Sequence, residues 1–339
     1  MDSKDAFLLE IRNLKIEFQL FEGTITAVDS VNLSLKPKRT LGIIGESGSG
    51  KSVTAQAILR LLPCPPGKIV SGEILFQKYY PDGERKIIDL FQLEPNGKEI
   101  RGIRGKEISM IFQEPMTSFG PLHTVGNQIM EVINIHEKDV SDKEARKRAI
   151  DLLISVGIQN AHTIVDSYPH QMSGGMRQRA MIAMAIACRP ALLLADEPTT
   201  ALDVTVQAQI LDLLMQLKEE FGMGMIYITH NLSVVAEISD DVAVMYLGRV
   251  MEQCCVEEIT KNPLHPYTQA LNASIPRIDG DIRKLEPIRG IIPSPYSLPK
   301  GCVFSNRCPQ AIAGVCEVNP PPQYREVTPG HWVNCHLYD

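Results

Sequence analysis

The sequence predicts an α/β fold, and three observations predict it. Short apolar strand candidates recur at residues 41–44, 191–195 and 225–229. Stretches with helical spacing of apolar residues separate them. A glycine-rich loop, Gly45-Glu46-Ser47-Gly48-Ser49-Gly50-Lys51-Ser52, joins the first of these strands to a helix.

In chain order, residues 7–18 alternate as a half-buried strand, and Val28 to Leu35 gives a second. Pro37-Lys38-Arg39 turns the chain into Leu41-Gly42-Ile43-Ile44. The loop that follows fits G-x-x-x-x-G-K-[ST], and Val53 to Leu62 reads as its helix. In that setting the glycines let backbone N–H groups converge on phosphates, and the helix N-terminus adds its positive dipole end. Gly45, Ser47, Gly48, Ser49 and Gly50 form the cradle, Lys51 supplies charge, and Ser52 supplies a hydroxyl for Mg²⁺. A chance match in a chain this long has a probability on the order of 1%. Phe18 and Phe21 precede the loop; either could stack on an adenine, or either could be a strand-end core residue.

Pro63-Cys64-Pro65-Pro66-Gly67 stops the helix. Residues 71–76 read as a strand, and Asp82-Gly83 and Asn96-Gly97 mark turns, so 72–98 form a small antiparallel excursion. Residues 108–112 are a strand ending on Gln113-Glu114-Pro115. Residues 116–185 are mainly helical. Ser141-Asp142-Lys143-Glu144 is a capping box before a helix with Ala145, Ala149, Leu152, Leu153 and Val156 on one face, ended by Gly157. Ser173-Gly174-Gly175 opens another helix that runs to about Cys188. Residues 191–195 lead into Asp196-Glu197. An amphipathic helix carries Val206, Ile210, Leu213, Leu214, Leu217 and Phe221. Residues 225–229 end at His230, and 243–253 form a hairpin around Gly248-Arg249. From about residue 256 prolines thicken and periodicity fades, which sets a domain boundary near 255.

The bulk numbers are those of an ordinary globular chain: 339 residues, 44% hydrophobic, 22% charged. A net charge of −6 argues against a nucleic-acid footprint. The acidic start, Met1-Asp2-Ser3-Lys4-Asp5-Ala6, is unlike a signal peptide, and no apolar run reaches a membrane-spanning ~18 residues. A cytoplasmic, reducing location is the expectation, with the eight cysteines as thiols.

An apolar strand ending in two acids supplies what a phosphate-binding loop lacks. Asp196 can hold Mg²⁺, and Glu197 can orient or deprotonate a water. Taken in order, the loop, Gln113, Ser173-Gly174-Gly175-Met176-Arg177-Gln178, Asp196-Glu197, Ala201-Leu202-Asp203 and His230 resemble the ATP-binding cassette family over residues 7 to about 255. The resemblance implies a P-loop ATPase core with an antiparallel β subdomain and an α-helical subdomain (about 115–185). Met172-Ser173-Gly174-Gly175-Met176 departs mildly from the commoner L-S-G-G-Q. It further implies two cassettes. ATP and Mg²⁺ would sit on Lys51, Ser52, Gln113 and Asp196, with Glu197 and His230 catalytic. Ser173, Gly174 and Gly175 would close on a second cassette's ATP, and Asp203 would cross the dimer interface.

The tail refines the resemblance. Asn262-Pro263-Leu264-His265-Pro266-Tyr267 resembles the His-Pro-Tyr element of oligopeptide and dipeptide importer ATPases. Cys302-x5-Cys308-x7-Cys316-x18-Cys335 follows, without the C-x2-C knuckles usual for zinc. Members of that subgroup can carry a [4Fe–4S] cluster here; zinc and free thiols remain alternatives. Cys64, Cys188, Cys254 and Cys255 read as ordinary core or surface residues. The implied role is ATP hydrolysis powering di- or oligopeptide import at the cytoplasmic face of a membrane. The implied partners are a related ATPase subunit in a heterodimer, two permeases and, indirectly, an extracytoplasmic binding protein. Nickel, glycan or glutathione cargo and a soluble non-transport ATPase are the alternatives; a soluble ATPase acting on DNA would carry a coiled coil, and one acting on ribosomes two cassettes.

Overall fold

The computed structural model describes residues 7–80, 83–113, 118–200, 202–274, 288–320 and 322–339. Readings at Met1–Ala6, Asp82, Glu114, Pro115 and Ala201 lie outside them, as do Pro276, Pro287 and Pro321. The chain divides into two compact units, residues 1–35, 39–91 and 227–339 in the first, and 36–38 and 92–226 in the second.

The first unit holds an antiparallel sheet of order β2-β1-β4-β5: β1 Leu9–Leu20, β2 Gly23–Leu35, β4 Gly67–Tyr79 and β5 Arg85–Asp89. In β1 the buried residues are Leu9 and Ile11, then Leu14 and Ile16, so the alternation slips by one. The slip is a register shift between Ile11 and Leu14, where Asn13 takes φ 47°. Asn32 closes it, its Oδ1 accepting from the Asn13 N–H at 3.0 Å.

A second layer in this unit runs β11-β12-β10-β9-β3. Strand β3, Thr40–Ile44, is buried along its whole length and lies parallel to β9, Asp241–Tyr246. Burial on both faces is why both strands read as continuous apolar runs. Strand β10, Arg249–Cys255, folds back on β9. The turn of this hairpin is Leu247-Gly248, with φ 44° and 80°, one residue earlier than the sequence suggested. Helix α1, Lys51–Ile58, is shorter than expected. Arg60 takes φ 54°, Leu61 N–H bonds Gln56 O and Arg60 N–H bonds Ala57 O, so a Schellman closure ends the helix before the prolines do.

The tail shares this unit. Strand β12, His331–Val333, pairs with β10 and with β11, Arg325–Thr328. After α8, Leu232–Ile238, and α9, Val256–Lys261, the His-Pro-Tyr element begins α10, Pro266–Ala273. His265 caps α10 through Nδ1, and Pro266 occupies its first position. Tyr246, Tyr267 and Phe304 pack with ring centroids 4.8 to 5.3 Å apart. Buried Glu252 joins the ends of the tail: it accepts from the Leu264 and His265 N–H groups at 2.7 and 2.8 Å and meets His331 Nε2 at 2.7 Å.

The second unit contains α2, Lys98–Ile103, and the parallel pair β6, Ile108–Ile111, and β7, Leu192–Asp196. Its described helices include α3 Val125–His136, α4 Asp142–Ser155, α5 Ala161–Ile164, α6 Gly174–Ala185 and α7 Val204–Phe221. Ser141 caps α4 by accepting from Glu144 N–H at 3.3 Å, and Gly157 follows it with φ 77°. Helix α6 stops at Ala185, short of Cys188. Strand β8, Gly224–Thr229, spans the sequence boundary between the units.

Burial pushes the His265 imidazole down to about 4, slightly opposed by Glu252. The unfolded histidine protonates near pH 6.5. The neutral ring's contribution is therefore complete above about pH 6.5. It is lost as pH falls toward 4, by roughly 3 kcal/mol at the limit. His265→Asn keeps a capping acceptor that does not titrate. Urea denaturation is expected to show a smaller loss of stability between pH 6.5 and 4.5 in that variant, by about 2 kcal/mol.

Candidate functional site

In the first unit, β3 delivers the chain to the glycine loop and α1 begins on Lys51. Gly50 lies at φ 95°, and a Cβ there would stand 2.5 Å from Ala27 O. A Cβ on Gly45 would stand 2.1 Å from Met245 O. Gly248 N–H donates to Ser49 O at 3.0 Å. The loop is thus pressed between β2 and the β9–β10 hairpin, and only glycine fits at both ends. Ser47 and Gly48 form its exposed rim, and Ser49 is buried.

Lys51 is buried, with Nζ donating to Gly45 O at 2.7 Å, Glu46 O at 3.0 Å and Ser49 Oγ at 3.2 Å. The first turn of α1 carries no acidic residue, and Ser52 is its second residue. This is a ready anion site: a helix N-terminus, an ammonium and a hydroxyl on one short segment. Phe18 pairs across β1 with Ile25 and Gly67, its ring over Gly67. Phe21 is fully exposed at the hairpin tip. His230 is exposed and directly follows β8.

In the second unit the register of β6 against β7 pairs Ile111 with Ala195. It carries Gln113 and Glu197 out side by side, two residues past the pair on each strand. Gln113 Nε2 donates to Glu197 Oε2 at 3.0 Å, and Thr200 Oγ1 donates to the same oxygen at 2.9 Å. Glu197 sits at φ 45°, whereas Asp196 is the buried last residue of β7. Backbone strain of this kind collects at functional positions. Ser173 caps α6, accepting from Met176 N–H at 3.3 Å. Among the described residues nothing lies within 4 Å of a Cβ built on Gly174, and one on Gly175 would meet Val206 Cγ1 at 3.4 Å. Asp203 caps α7 by accepting from Val206 N–H at 3.0 Å.

All eight cysteines are free thiols. Cys302, Cys316 and Cys335 are buried and Cys308 is half-buried. Burial pushes Cys302 up to about 11 and Cys335 up to about 12, and raises Cys308. The other cysteines raise them further: Cys335 feels Cys302, Cys308 and Cys316. Backbone hydrogen bonds act the other way, from Phe304 and Ser305 on Cys302, from Gln310 on Cys308 and from Leu337 on Cys335. Ile312 N–H lies 3.3 Å from Cys316 Sγ. The four thiols thus influence one another and each has a backbone N–H donor, which is the donor set that a cationic group held by thiolates would need.

Glu252, Cys254 and His331 also bring donor atoms within 4.8 Å of one another. There the carboxylate is already taken by two backbone N–H groups and His331, and burial raises the Cys254 thiol. That group is a hydrogen-bonded hub.

Residues 28–200 match the family model for the ABC transporter, and residues 251–316 match that for the oligopeptide/dipeptide transporter C-terminal region. The chain belongs to the ABC transporter family. It is 47% identical to the oligopeptide transport ATP-binding protein AppD of Bacillus subtilis, over 98% of this chain and 97% of that one. It is 46% identical to the dipeptide transport ATP-binding protein DppD of the same organism, over 98% and 95%. Among solved structures it resembles the dimeric cassette MJ0796 in a post-hydrolysis state bound to ADP and Pi, with TM-score 0.62, 29% identity, and coverage of 73% of this chain and 98% of that one. As an ABC ATPase, this chain uses ATP and Mg²⁺. The sequence reading gave no role to Glu46 or Arg307, which the structure joins through an ion pair. A carboxylate within an anion-binding loop was the available signal.

Gly50→Ala forces a side chain into 2.5 Å of space at a positive φ. It is expected to weaken ATP binding at least ten-fold and to cost about 1–3 kcal/mol of stability. Titration with a fluorescent ATP analogue and urea denaturation read the two effects.

Proposed function

We propose that this chain hydrolyses ATP to drive the import of di- and oligopeptides, as one of two ATPase subunits bound to two permeases at the cytoplasmic face of a cell membrane. A separate extracytoplasmic protein would deliver the peptide. The observation that carries the cargo reading is the tail: residues 251–316 match the C-terminal region of oligopeptide/dipeptide transporters. Chain-long identity to relatives named for peptide transport supports it.

The reaction follows from the two half-sites. Lys51 and the loop amides would take the β- and γ-phosphates, and Ser52, Gln113 and Asp196 would hold Mg²⁺, which supplies positive charge against the phosphates. Phe18 stacks on the adenine. A water attacks the γ-phosphorus, Glu197 accepts its proton, and the bond to the β–γ bridging oxygen breaks to leave ADP and phosphate. His230 holds the γ-phosphate. A partner cassette completes the site. The uncovered face of Gly174 at the start of α6 supports a reciprocal role for Ser173, Gly174 and Gly175 on the partner's ATP. Asp203, whose capping partner Val206 neighbours Gly175, would cross the same dimer interface.

Cys302, Cys308, Cys316 and Cys335 hold a [4Fe–4S] cluster in this reading. When bound, the group supplies iron–sulfur bonds that staple the tail. The sequence spacing, which lacks the C-x2-C knuckles usual for zinc, supports the cluster over zinc.

Three measurements test these statements. Glu197→Gln is expected to bind ATP as the parent does while hydrolysis falls at least 100-fold; turnover near the parent's would remove Glu197 from its role. Anaerobically purified protein is expected to be brown and to contain iron and sulfide, and Cys302→Ser to lose both; a colourless protein with one zinc would overturn the cluster. Reconstituted with its permeases and binding protein, the chain is expected to support ATP-dependent uptake of a labelled peptide, and uptake of nickel in its place would overturn the cargo.

A further inference from the structure

Glu46 is the first variable residue of the phosphate-binding loop, and it is an acid. A carboxylate here repels the triphosphate that the loop is built to receive. The structure shows what offsets it. Arg307 meets Glu46 in a two-pronged ion pair, Nη1 to Oε2 at 2.6 Å and Nη2 to Oε1 at 3.1 Å. The Arg307 side chain is 4% exposed and that of Glu46 26%, so solvent screens the pair only in part.

The guanidinium is fixed on every side. Its Nε donates to Arg289 O at 3.1 Å and Nη1 to Tyr246 Oη at 3.2 Å. It lies over the Tyr246 ring at 5.6 Å and the Phe304 ring at 6.0 Å. The tail holds the same loop residue at a second point, where Glu46 N–H donates to Tyr267 Oη at 3.1 Å. Glu46 O, in turn, accepts from Lys51 Nζ. The N–H and the carboxylate of this residue thus belong to the tail, while its carbonyl belongs to the lysine that meets phosphate.

We infer that Arg307 is a positioning residue for nucleotide binding: it neutralises Glu46, and with Tyr267 it holds the loop in its anion-accepting shape. Arg307 directly precedes Cys308 and its N–H donates to Phe304 O, within the Cys302–Cys308 loop. The four-cysteine region is thereby connected to ATP affinity through one side chain. The inference rests on Lys51 and Ser52 as the phosphate-binding residues, which Lys51→Ala tests separately by loss of binding.

The test titrates the full-length protein with methylanthraniloyl-ATP and Mg²⁺ at low and moderate salt. Arg307→Met leaves an unpaired carboxylate by the phosphates and is expected to raise Kd about ten-fold at low salt, with a smaller change at high salt. Arg307→Lys keeps the charge but not the two-pronged fork, and is expected to raise Kd clearly less than Arg307→Met does. Adding Glu46→Gln to Arg307→Met removes the charge that was exposed and is expected to bring Kd back within about two-fold of the parent. A purely structural arginine would give a double variant no better than Arg307→Met. That result, or parental affinity in Arg307→Met, overturns the inference. If Lys51→Ala binds normally, the phosphate-site reading fails instead.

Discussion

The constraint on which the first unit depends is the absence of room at three glycines. A Cβ on Gly42 would come within 2.4 Å of Val235, one on Gly45 within 2.1 Å of Met245 O, and one on Gly50 within 2.5 Å of Ala27 O. Helix α8, strand β9 and strand β2 therefore close on β3 and its loop from different directions. The loop does not choose its shape locally; the walls impose it, and the glycines let the walls approach. That is how a segment rich in flexible residues becomes a fixed set of N–H donors before any phosphate arrives. Pre-set donors need no reorganisation on binding, which is what makes such a loop effective.

The tail faces the opposite problem. It has few regular elements and many prolines, so backbone ladders hold little of it. Polar and aromatic contacts take over. Glu252 is fully buried on β10, a costly place for a carboxylate unless its oxygens are satisfied. They are, by N–H groups at the head of the His-Pro-Tyr element and by His331 on β12. One side chain thus fixes two segments of the tail far apart in sequence. Tyr246, Tyr267 and Phe304 then pack β9, α10 and the cysteine loop into one cluster.

The parts legible in the sequence were those governed by local pattern. The alternation in β1, the apolar runs of β3 and β7, the cap at Ser141 and the phosphate loop each carry their cause within a few residues. Helix ends were less legible. Arg60, not Pro63, closes α1, and no composition rule marks an arginine for a left-handed position. Contacts across long separations were not legible at all. Glu46 and Arg307 are 261 positions apart, and neither residue type signals the other. The tail's membership of the P-loop unit has the same origin: pairing of β12 with β10 depends on register, which composition does not record.

The two acids at the end of β7 differ in how they are held, and the difference bears on control of hydrolysis. Asp196 is the buried last residue of a strand, so its position follows the sheet. Glu197 has left the strand at a positive φ, and its carboxylate is oriented by Gln113 beyond the end of β6 and by Thr200 three residues on. In the proposed mechanism one metal ligand, Asp196, is therefore fixed by the sheet, while the base is set by its neighbours. Moving Gln113 would remove one of the two hydrogen bonds that orient this carboxylate, whereas Asp196 is held by the sheet itself. The strain at Glu197 is consistent with that design. A residue in an unfavourable φ is held by its partners, and its geometry responds when they move.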